Sequence, residues 1–539
     1  MSVLKRSGPY LWLSILICAG YFVVFIFPNH AASENIKMVA VFEPDEAVPL
    51  PYVFDMLEPA DTLKQALINF AFYEYYFYGF PYFAVSGLSL TPLIPFDALD
   101  DIPLVMVILR QMVSVLPMLA AILLLVYVQT KFSSYRSIVL LLLLLSIPAV
   151  VQNNFWWHPD SLAILFAMLV IFFLHRDRLD FGINFYLAAV FCGFSAGTKG
   201  MGFYFFLAIF IYLLFGYFSR KMPPARLVMA GLGFILCMGA AYLLANPILV
   251  YRGVRNDYFR VMREQSVLLS SGYEILYAKG LSAALPTLKE YYGSVPFLIL
   301  ALFACVIGIM NEKTRLLNLI ILAWALPISV QVFWITHFKF QYWLPVALPL
   351  FSTMADHLPD RIHLPVALQN IRSQKGFWFF VQAFIGLAVV IQLAVFVRSD
   401  LDRYLERLHR ADENASIQFH GLALQALEPL QDESVFVYHD VRMYVPSTPR
   451  WKTEAVFHLL DYDYISSRKF DVLLLMQQRL YDYLNPNAQG VDPDKLARSR
   501  VFYRDAHDGT IEGYHLVFRN DFGLVYVKDD LFRQYFEGE

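Results

Sequence analysis

Residues 102–129, IPLVMVILRQMVSVLPMLAAILLLVYVQ, contain one charged side chain, that of Arg110. An α-helix rises about 1.5 Å per residue and needs about 20 apolar residues to cross the hydrocarbon core of a bilayer. This stretch is therefore predicted to be a transmembrane helix. Because a charge exposed to hydrocarbon is costly, we expect the Arg110 guanidinium to face a polar cavity rather than lipid.

The remainder of the chain repeats this pattern. Of its 539 residues, 58% are hydrophobic and only 16% are charged, which is typical of a polytopic α-helical membrane protein. The same length criterion predicts about eleven transmembrane helices. Besides residues 102–129, they are expected near residues 10–27, 137–153, 159–175, 183–198, 201–218, 227–246, 294–311, 316–334, 342–357 and 377–397.

The first apolar segment and the net charge bear on the class of protein. Residues 10–27 are interpreted as a retained helix rather than a cleaved signal peptide, because the run is longer than a usual signal core.

The formal net charge of −3 argues against nucleic acid as a partner, since binding phosphate backbones needs an excess of Lys and Arg.

Basic residues alternate between the two sides of the predicted membrane. Lys131 and Arg136 lie in one connection, whereas the loop at about 29–101 carries mainly Asp and Glu. Because cytoplasmic loops are enriched in Lys and Arg, the acidic loop is predicted to be outside. We expect a bacterial inner membrane with this loop, the loop at about 247–293 and the C-terminal residues in the periplasm, or in the lumen if the organism is eukaryotic.

Residues 398–539 differ in composition from residues 1–397, which form the predicted membrane domain. They are charged and contain short apolar segments separated by turn residues, a pattern that favours a small soluble domain of mixed α/β class. Its strands are predicted at residues 434–438, 471–475, 514–519 and 523–528.

The acidic cluster Glu43-Pro44-Asp45-Glu46 lies in the first outer loop. Two interpretations are open at this point. Carboxylates near Pro44 could stabilise the first turn of a helix through its dipole. Alternatively, a carboxylate at the membrane surface could act as a general base.

Two further polar exceptions occur on the same predicted side. His158 and Asp160 follow Trp156-Trp157 between the third and fourth predicted helices, and Lys199 lies between glycines after the fifth. A helix cap anchored by interfacial tryptophans would explain Asp160 but not His158. Lys199 suits an anionic ligand, although a lysine that extends to lipid headgroups is the simpler alternative.

The outer loop at about 247–293 is basic, against the charge rule. If it is helical, Arg252, Arg255, Arg260 and Arg263 fall within an arc of about 140°, at about 100° per residue. Such a face is typical of phosphate binding, on bilayer lipids or on a lipid-linked substrate. A solvated interfacial helix is the alternative.

Together these features resemble the GT-C superfamily of integral-membrane glycosyltransferases, which use polyprenyl-phosphate sugars and include protein O-mannosyltransferases and aminoarabinose transferases. The resemblance is carried by Pro44-Asp45-Glu46 in the first outer loop, Asp160 between spans three and four, and the Lys199 turn between spans five and six. Phe340-Gln341-Tyr342-Trp343-Leu344-Pro345 is similar to an Arg-Tyr-Leu-Leu-Pro stretch of such enzymes, with Gln341 in place of arginine.

The resemblance implies an inverting transfer in which Asp45 acts as the general base and Glu46 tunes it or positions the acceptor. His158 and Asp160 would complete the substrate pocket. No cofactor is predicted with certainty, but a divalent ion, Mg²⁺ or Mn²⁺, shared by Asp45 and Asp160 is compatible with carboxylates from two loops.

The lipid phosphate of the donor would be bound by Lys199, Arg252 and Arg255. The other predicted substrate-binding residues are Arg110, Lys339, as a substitute for the missing arginine, and Tyr342. The expected partners are a lipid-linked sugar donor, membrane lipids, and a glycan, lipid or protein acceptor. A lipid-linked glycan polymerase or ligase of another fold, a transporter or flippase, and a non-catalytic assembly subunit stay open as alternatives.

Overall fold

The computed structural model describes residues 8–220, 222–358, 374–412, 414–446 and 448–537, with side chains in the helix Gln374–His409 described from Gln382 onward. Most of this chain is helical. Up to residue 244 the α-helices are Gly8–His30, Ile36–Phe42, Pro44–Ala47, Leu50–Met56, Leu63–Ala71, Phe80–Leu90, Ile102–Leu109, Leu116–Thr130, Arg136–Leu145, Pro148–Asn153, Asp160–Asp177, Ile183–Lys199, Phe206–Arg220 and Pro224–Leu244. From residue 245 they are Arg252–Ser271, Leu281–Tyr292, Val295–Met310, Arg315–Val330, Phe340–Ser352, Gln374–His409, Ala415–Ala426, Tyr462–Arg468, Gln477–Leu484, Pro493–Asp508 and Asp529–Tyr535.

A helix occurs at each of the predicted transmembrane positions. Within the described ranges, six helical segments are long and apolar enough to cross a membrane, and a seventh is obtained if the helices Leu281–Tyr292 and Val295–Met310, which meet at 85°, form one span. The total of about eleven crossings stays a prediction. The predicted helix at 137–153 is interrupted because Pro148 holds Ile147 in an extended conformation, with ψ of 120°.

The stretch 102–130 is continuous but irregular. Between Ile102–Leu109 and Leu116–Thr130 the residues Arg110–Val115 form a π-helical turn, a feature that recurs at functional sites. Arg110 is fully buried there, and its Nη1 donates a 2.7 Å hydrogen bond to the carbonyl oxygen of Asn29. The guanidinium therefore contacts the end of the first helix and is shielded from lipid.

The chain divides into two compact units. The first comprises Met1–His30, Pro51–Arg263 and Lys279–Arg407, and the second comprises Ala31–Leu50, Glu264–Ala278 and Leu408–Glu539. The second unit thus contains the acidic cluster at 43–46 as well as most of the C-terminal residues.

The second unit is built on a five-stranded sheet among the described residues. Its strands are β1 Val435–His439, β2 Trp451–Glu454, β3 Val472–Met476, β4 Tyr514–Arg519 and β5 Gly523–Lys528. Their order is β2-β1-β3-β5-β4, with β1 parallel to β2 and β3 and with β5 antiparallel to β3 and β4. The mixed α/β class and the four predicted strands are confirmed.

Strand β2 was not predicted, because WKTE is short and half-exposed and lacks the run of β-branched residues that marks a buried strand. In β1, β3 and β5, alternate side chains enter opposite layers of the core, as a strand period of two requires. One layer contains Tyr438, Leu473, Leu475 and Tyr526, and the other contains Val437, Val472, Leu474 and Val525.

Candidate functional site

Within the first unit, a buried charged cluster is formed by His158, Asp160 and Lys199. The Nζ atom of Lys199 lies 2.5 Å from Oδ1 of Asp160, and Nδ1 of His158 lies 2.6 Å from Oδ2 of the same carboxylate. Nζ of Lys199 is also 3.5 Å from Nδ1 of His158. The predicted pair His158 and Asp160 and the separately predicted Lys199 therefore meet at the Asp160 carboxylate.

The local sequence explains why two helix ends meet here. Asp160 is the first residue of the helix Asp160–Asp177, and Lys199 is the last residue of the next helix, Ile183–Lys199. An acidic group is favoured at a helix N-terminus and a basic group at a C-terminus, because each complements the helix dipole. Gly200 ends the second helix with a φ of +72°, a conformation that costs glycine little.

Backbone packing positions the C-terminal end of this second helix. The amide N–H of Gly79 donates to the carbonyl oxygen of Thr198 at 3.2 Å, and that of Phe80 donates to the carbonyl of Ala245 at 3.2 Å. A Cβ atom on Gly79 would lie 1.7 Å from the carbonyl oxygen of Gly197. Only a glycine at position 79 allows this approach, which holds the residue after Tyr78 against the end of the helix that carries Lys199.

His158 is surrounded on several sides. Its ring stacks on Trp156 with centroids 4.1 Å apart and an interplanar angle of 2°. Its Nε2 lies 3.0 Å from the hydroxyl of Tyr78. The Ser114 hydroxyl donates to the carbonyl of Trp156 at 2.6 Å and accepts from the amide of His158 at 3.4 Å. The imidazole is therefore held in one orientation.

The ammonium group is the most accessible part of this cluster. The side chain of Lys199 is 16% exposed, whereas that of Asp160 is fully buried. Nζ of Lys199 lies 5.5 Å from the centroid of the Tyr342 ring, which is near the range of a cation–π contact. A lysine carries three donors and no acceptor, so this arrangement presents a cation to an anionic ligand.

The other predicted substrate-binding residues take different positions. Tyr342 is brought to Lys199, and Lys339 is the residue before the helix Phe340–Ser352 that contains Tyr342. Arg252 and Arg255 are exposed on the helix Arg252–Ser271, so the condition on which the basic face depended is met. Arg110, as described above, bonds to the carbonyl of Asn29.

The acidic cluster at 43–46 belongs to the second unit. Pro44–Ala47 forms a short helix whose N-cap residue is Glu43, and the Glu43 side chain makes no capping hydrogen bond. The carboxylate of Glu43 instead accepts a 3.2 Å hydrogen bond from Nη1 of Arg410. Glu46 is buried, whereas Asp45 is exposed. Asp45 is therefore the accessible carboxylate of the cluster.

A second feature near Asp45 was not predicted from the sequence. Tyr273 lies in the short segment Glu264–Ala278 of the same unit. Burial, together with the nearby Asp45 carboxylate, raises the pKa of Tyr273. The sequence separation between residues 45 and 273 hides this relationship.

The predicted divalent ion was tested against the donor atoms present. Among the described residues, no group of three or more His, Cys, Asp or Glu side chains is arranged to hold a metal ion. Both oxygens of Asp160 face positively polarised nitrogen atoms, so a cation there would lie beside the Lys199 ammonium. The arrangement does not fit a metal at Asp160, and no step below uses one.

Sequence reasoning missed Tyr78 and Trp156 as parts of the site. Tyr78 belongs to the aromatic run FAFYEYYFYGFPYF at residues 70–83, and Trp156 was considered only as an interfacial anchor in the helix-cap alternative. The density of tyrosines in the first outer loop was the available signal. It does not by itself show which hydroxyl points at a charged group.

No family model and no curated protein matches this sequence. Among solved structures, the chain is similar to ArnT from Cupriavidus metallidurans bound to undecaprenyl phosphate, with a TM-score of 0.51 and 13% identity over 96% of this chain and 97% of that one. The apo state of ArnT aligns with a TM-score of 0.49 and 13% identity over 95% and 97% of the two chains.

The fold thus defines a class. The chain is an integral membrane protein with a GT-C-like fold and a small C-terminal sheet, as the sequence resemblance predicted. The fold is shown by the similarity to the solved structure of ArnT, which extends over 96% of this chain and 97% of that one.

Proposed function

We propose that the protein is a membrane glycosyltransferase that moves a sugar from a polyprenyl-phosphate donor to an acceptor hydroxyl. The observation that carries this proposal is the Lys199 ammonium, held by the buried Asp160 carboxylate and partly exposed, in a chain with a GT-C-like fold. The similar structure of ArnT contains undecaprenyl phosphate, which supports a lipid-phosphate donor.

In the proposed reaction the acceptor oxygen attacks the anomeric carbon of the donor sugar. The new bond joins that oxygen to the anomeric carbon, and the bond between the anomeric carbon and the phosphate oxygen breaks. The electron pair leaves with the polyprenyl phosphate, and the acceptor proton passes to a carboxylate. One displacement of this kind inverts the anomeric configuration.

Lys199 is the proposed cation for the leaving group. Negative charge grows on the phosphate as the glycosidic bond breaks, and a preorganised ammonium stabilises that charge without reorganising at the moment of reaction. Asp160 makes this preorganisation stable by balancing the lysine charge in the free protein. Arg252 and Arg255 are proposed to bind the lipid phosphate or neighbouring anionic headgroups.

Asp45 is the proposed general base. It is exposed at the start of a short helix, and its neighbour Glu43 is engaged with Arg410, which leaves Asp45 as the accessible group. General-base catalysis contributes about 10²–10⁴-fold to such reactions. Glu46 is proposed to tune Asp45 or to position the acceptor. The active groups are proposed to lie on the periplasmic face of a bacterial inner membrane, as the distribution of basic loops suggests.

The test uses the full chain in nanodiscs with a panel of polyprenyl-phosphate sugars and glycan, lipid and peptide acceptors. We expect transfer by the wild type, loss of at least about 100-fold in kcat for Asp45→Asn, and near wild-type rates for Asp61→Asn, a control carboxylate of the same loop. Wild-type rates for a correctly inserted Asp45→Asn protein would exclude this residue as the base. Donor translocation across vesicles without transfer would favour a flippase.

A further inference from the structure

The charged cluster continues past His158 to a phenol hydroxyl. We propose that His158 and Tyr78 are positioning residues that orient Asp160, and through it the Lys199 ammonium, for binding the phosphate of the donor. This proposal rests on the proposed function, because it refines the cation site of that reaction. It assigns a role to Tyr78 that its place in an aromatic run does not suggest.

The distances around the His158 ring favour a proton on Nδ1. An ionised carboxylate can only accept hydrogen bonds, so Nδ1, 2.6 Å from Oδ2 of Asp160, must be the protonated nitrogen. We assign the neutral tautomer with its proton on Nδ1, in which Nε2 is an acceptor for the Tyr78 hydroxyl at 3.0 Å. In this assignment Tyr78 donates to His158, and the Nδ1 proton of His158 faces Oδ2 of Asp160.

The packing around the ring makes this direction stable. Trp156 covers one face of the imidazole, and the ring of Tyr78 meets it edge-on with centroids 5.0 Å apart at 77°. The Ser114 hydroxyl is hydrogen-bonded to the backbone on both sides of Trp157, to the carbonyl of Trp156 and to the amide of His158. Rotation of the imidazole would break contacts at both ring nitrogens and on its stacked face.

The orientation of Asp160 follows from that of His158. When Oδ2 is held by Nδ1, the carboxylate can no longer rotate freely, and Oδ1 is directed at Nζ of Lys199. Lysine is a flexible side chain with large rotamer entropy, so its ammonium needs such a partner to occupy one position. An error of about 1 Å in the placement of a catalytic group can cost about 100-fold in rate.

The backbone closes this arrangement into a ring of contacts. Tyr78 precedes Gly79, whose amide donates to the carbonyl of Thr198, and Thr198 precedes Lys199. The side chains of Lys199, Asp160 and His158 then lead back to Tyr78. A displacement of any member must therefore break one of these contacts or move the backbone of another.

Four variants separate positioning from packing. His158→Asn keeps a nitrogen donor near the place of Nδ1 but loses the contact with Tyr78, whereas His158→Gln moves its donor toward the place of Nε2. Tyr78→Phe removes only the hydroxyl, and Tyr78→Phe combined with His158→Asn tests whether the two effects are coupled. Tyr212→Phe is the matched control, because the Tyr212 hydroxyl donates to a different carboxylate, that of Asp177, at 2.7 Å.

The readouts are kcat and KM for transfer, and the affinity for undecaprenyl phosphate, in nanodiscs. We expect kcat to fall by about 10-fold for Tyr78→Phe and about 100-fold for His158→Gln. His158→Asn should resemble Tyr78→Phe, and adding Tyr78→Phe to it should change nothing further. Tyr212→Phe should keep the wild-type kcat even if its thermal stability falls as much as that of Tyr78→Phe.

The outcomes distinguish this inference from the proposed function. Wild-type kcat in both Tyr78→Phe and His158→Gln, in a preparation that transfers sugar, would overturn the positioning role and leave the function intact. If the wild type transfers no sugar, the proposed function fails. In that case the affinity for undecaprenyl phosphate tests the positioning role. Weaker binding by His158→Gln than by the wild type, with binding regained in His158→Asn, supports that role. Equal affinities of the wild type and both variants refute it.

Discussion

Nζ of Lys199 and Oδ1 of Asp160 lie 2.5 Å apart, at the end of one helix and the start of the helix that precedes it. The two helices form an antiparallel hairpin, so the ion pair joins them at the end away from their connecting turn at residues 178–182. One interaction therefore serves both to hold the hairpin together and to fix the position of a cation.

Breaking this pair should cost stability as well as activity. Lys199→Met leaves the buried Asp160 carboxylate without its cation, and removal of one partner of a buried pair costs about 3–5 kcal/mol. Lys199→Met combined with Asp160→Asn should regain part of that stability but no transfer activity. Unfolding of the reconstituted protein by denaturing detergent measures the first effect. Recovery of activity in the double variant would contradict a role for the Lys199 charge.

The contact between Gly79 and Gly197 should not tolerate a side chain. Gly79→Ala would place a methyl group 1.7 Å from a backbone oxygen, so the segment carrying Tyr78 must move away from the helix carrying Lys199. We expect the rate of transfer to fall by at least about 100-fold, since the segment carrying Tyr78 and the helix carrying Lys199 would separate by more than about 1 Å. Gly20→Ala is the control, because a Cβ atom there meets no atom within 4 Å. Equal rates for the two variants would show that the approach is not required.

Asp440 of the second unit, like Asp160 of the first, is a buried carboxylate paired with a basic side chain. It is fully buried after β1 and accepts hydrogen bonds from Nη1 of Arg479 at 2.8 Å, the Tyr438 hydroxyl at 3.1 Å and the Met476 amide at 2.7 Å. Arg479→Met should reduce the stability of the sheet by about 3–5 kcal/mol.

Hydrogen exchange in β1 and β3 measures this change. Arg468→Met provides the comparison, because the Arg468 side chain that pairs with Glu454 is 53% exposed and ion pairs open to solvent contribute about 0–1 kcal/mol. A similar loss of protection in the two variants would mean that burial of Asp440 does not set the strength of its ion pair.

The second unit should lose stability in mild acid. Burial lowers the pKa of His439, with Lys37 adding to the effect, and burial also lowers the pKa of His420. Because the unfolded chain binds protons at these histidines below about pH 6.5 while the folded unit resists doing so, stability falls as the pH drops through that value.

Exchange protection of β1 between pH 7.5 and 5 is the measurement for this prediction. The fall should be smaller in a protein carrying His420→Gln and His439→Gln, whereas His507→Gln, at a half-exposed position, should leave it unchanged. If exchange protection fell equally in the wild type, in the protein with both His420→Gln and His439→Gln, and in His507→Gln, the acid sensitivity would belong to other groups.

Much of this architecture could be predicted from local sequence. Runs such as 102–129 identify membrane helices because a lipid-embedded backbone must satisfy its hydrogen bonds within one apolar segment. The strands β1, β3, β4 and β5 were likewise predicted from short apolar segments between turns. Strand β2 and the break at Pro148 escaped prediction, because an edge strand is weakly patterned and a hydropathy window averages over a single proline.

The candidate site was only partly within reach of the sequence. His158, Asp160 and Lys199 could each be selected, because ionisable residues near apolar segments are costly and invite a functional explanation. That they share one carboxylate was not predicted, and Tyr78 was not selected at all. Its hydroxyl is one among many in an aromatic run, and only its distance of 3.0 Å from His158 distinguishes it.

The sequence by itself thus determined the class of protein, the positions of its helices and the identities of its unusual charges, because these depend on the transfer of local segments from water to lipid. The tertiary structure alone decided which charges meet, since residues 78, 158 and 199 are far apart along the chain and come together through the close approach of Gly79 to Gly197. It likewise decided that Asp45 belongs to the unit built on the C-terminal sheet, because that grouping depends on contacts between distant segments.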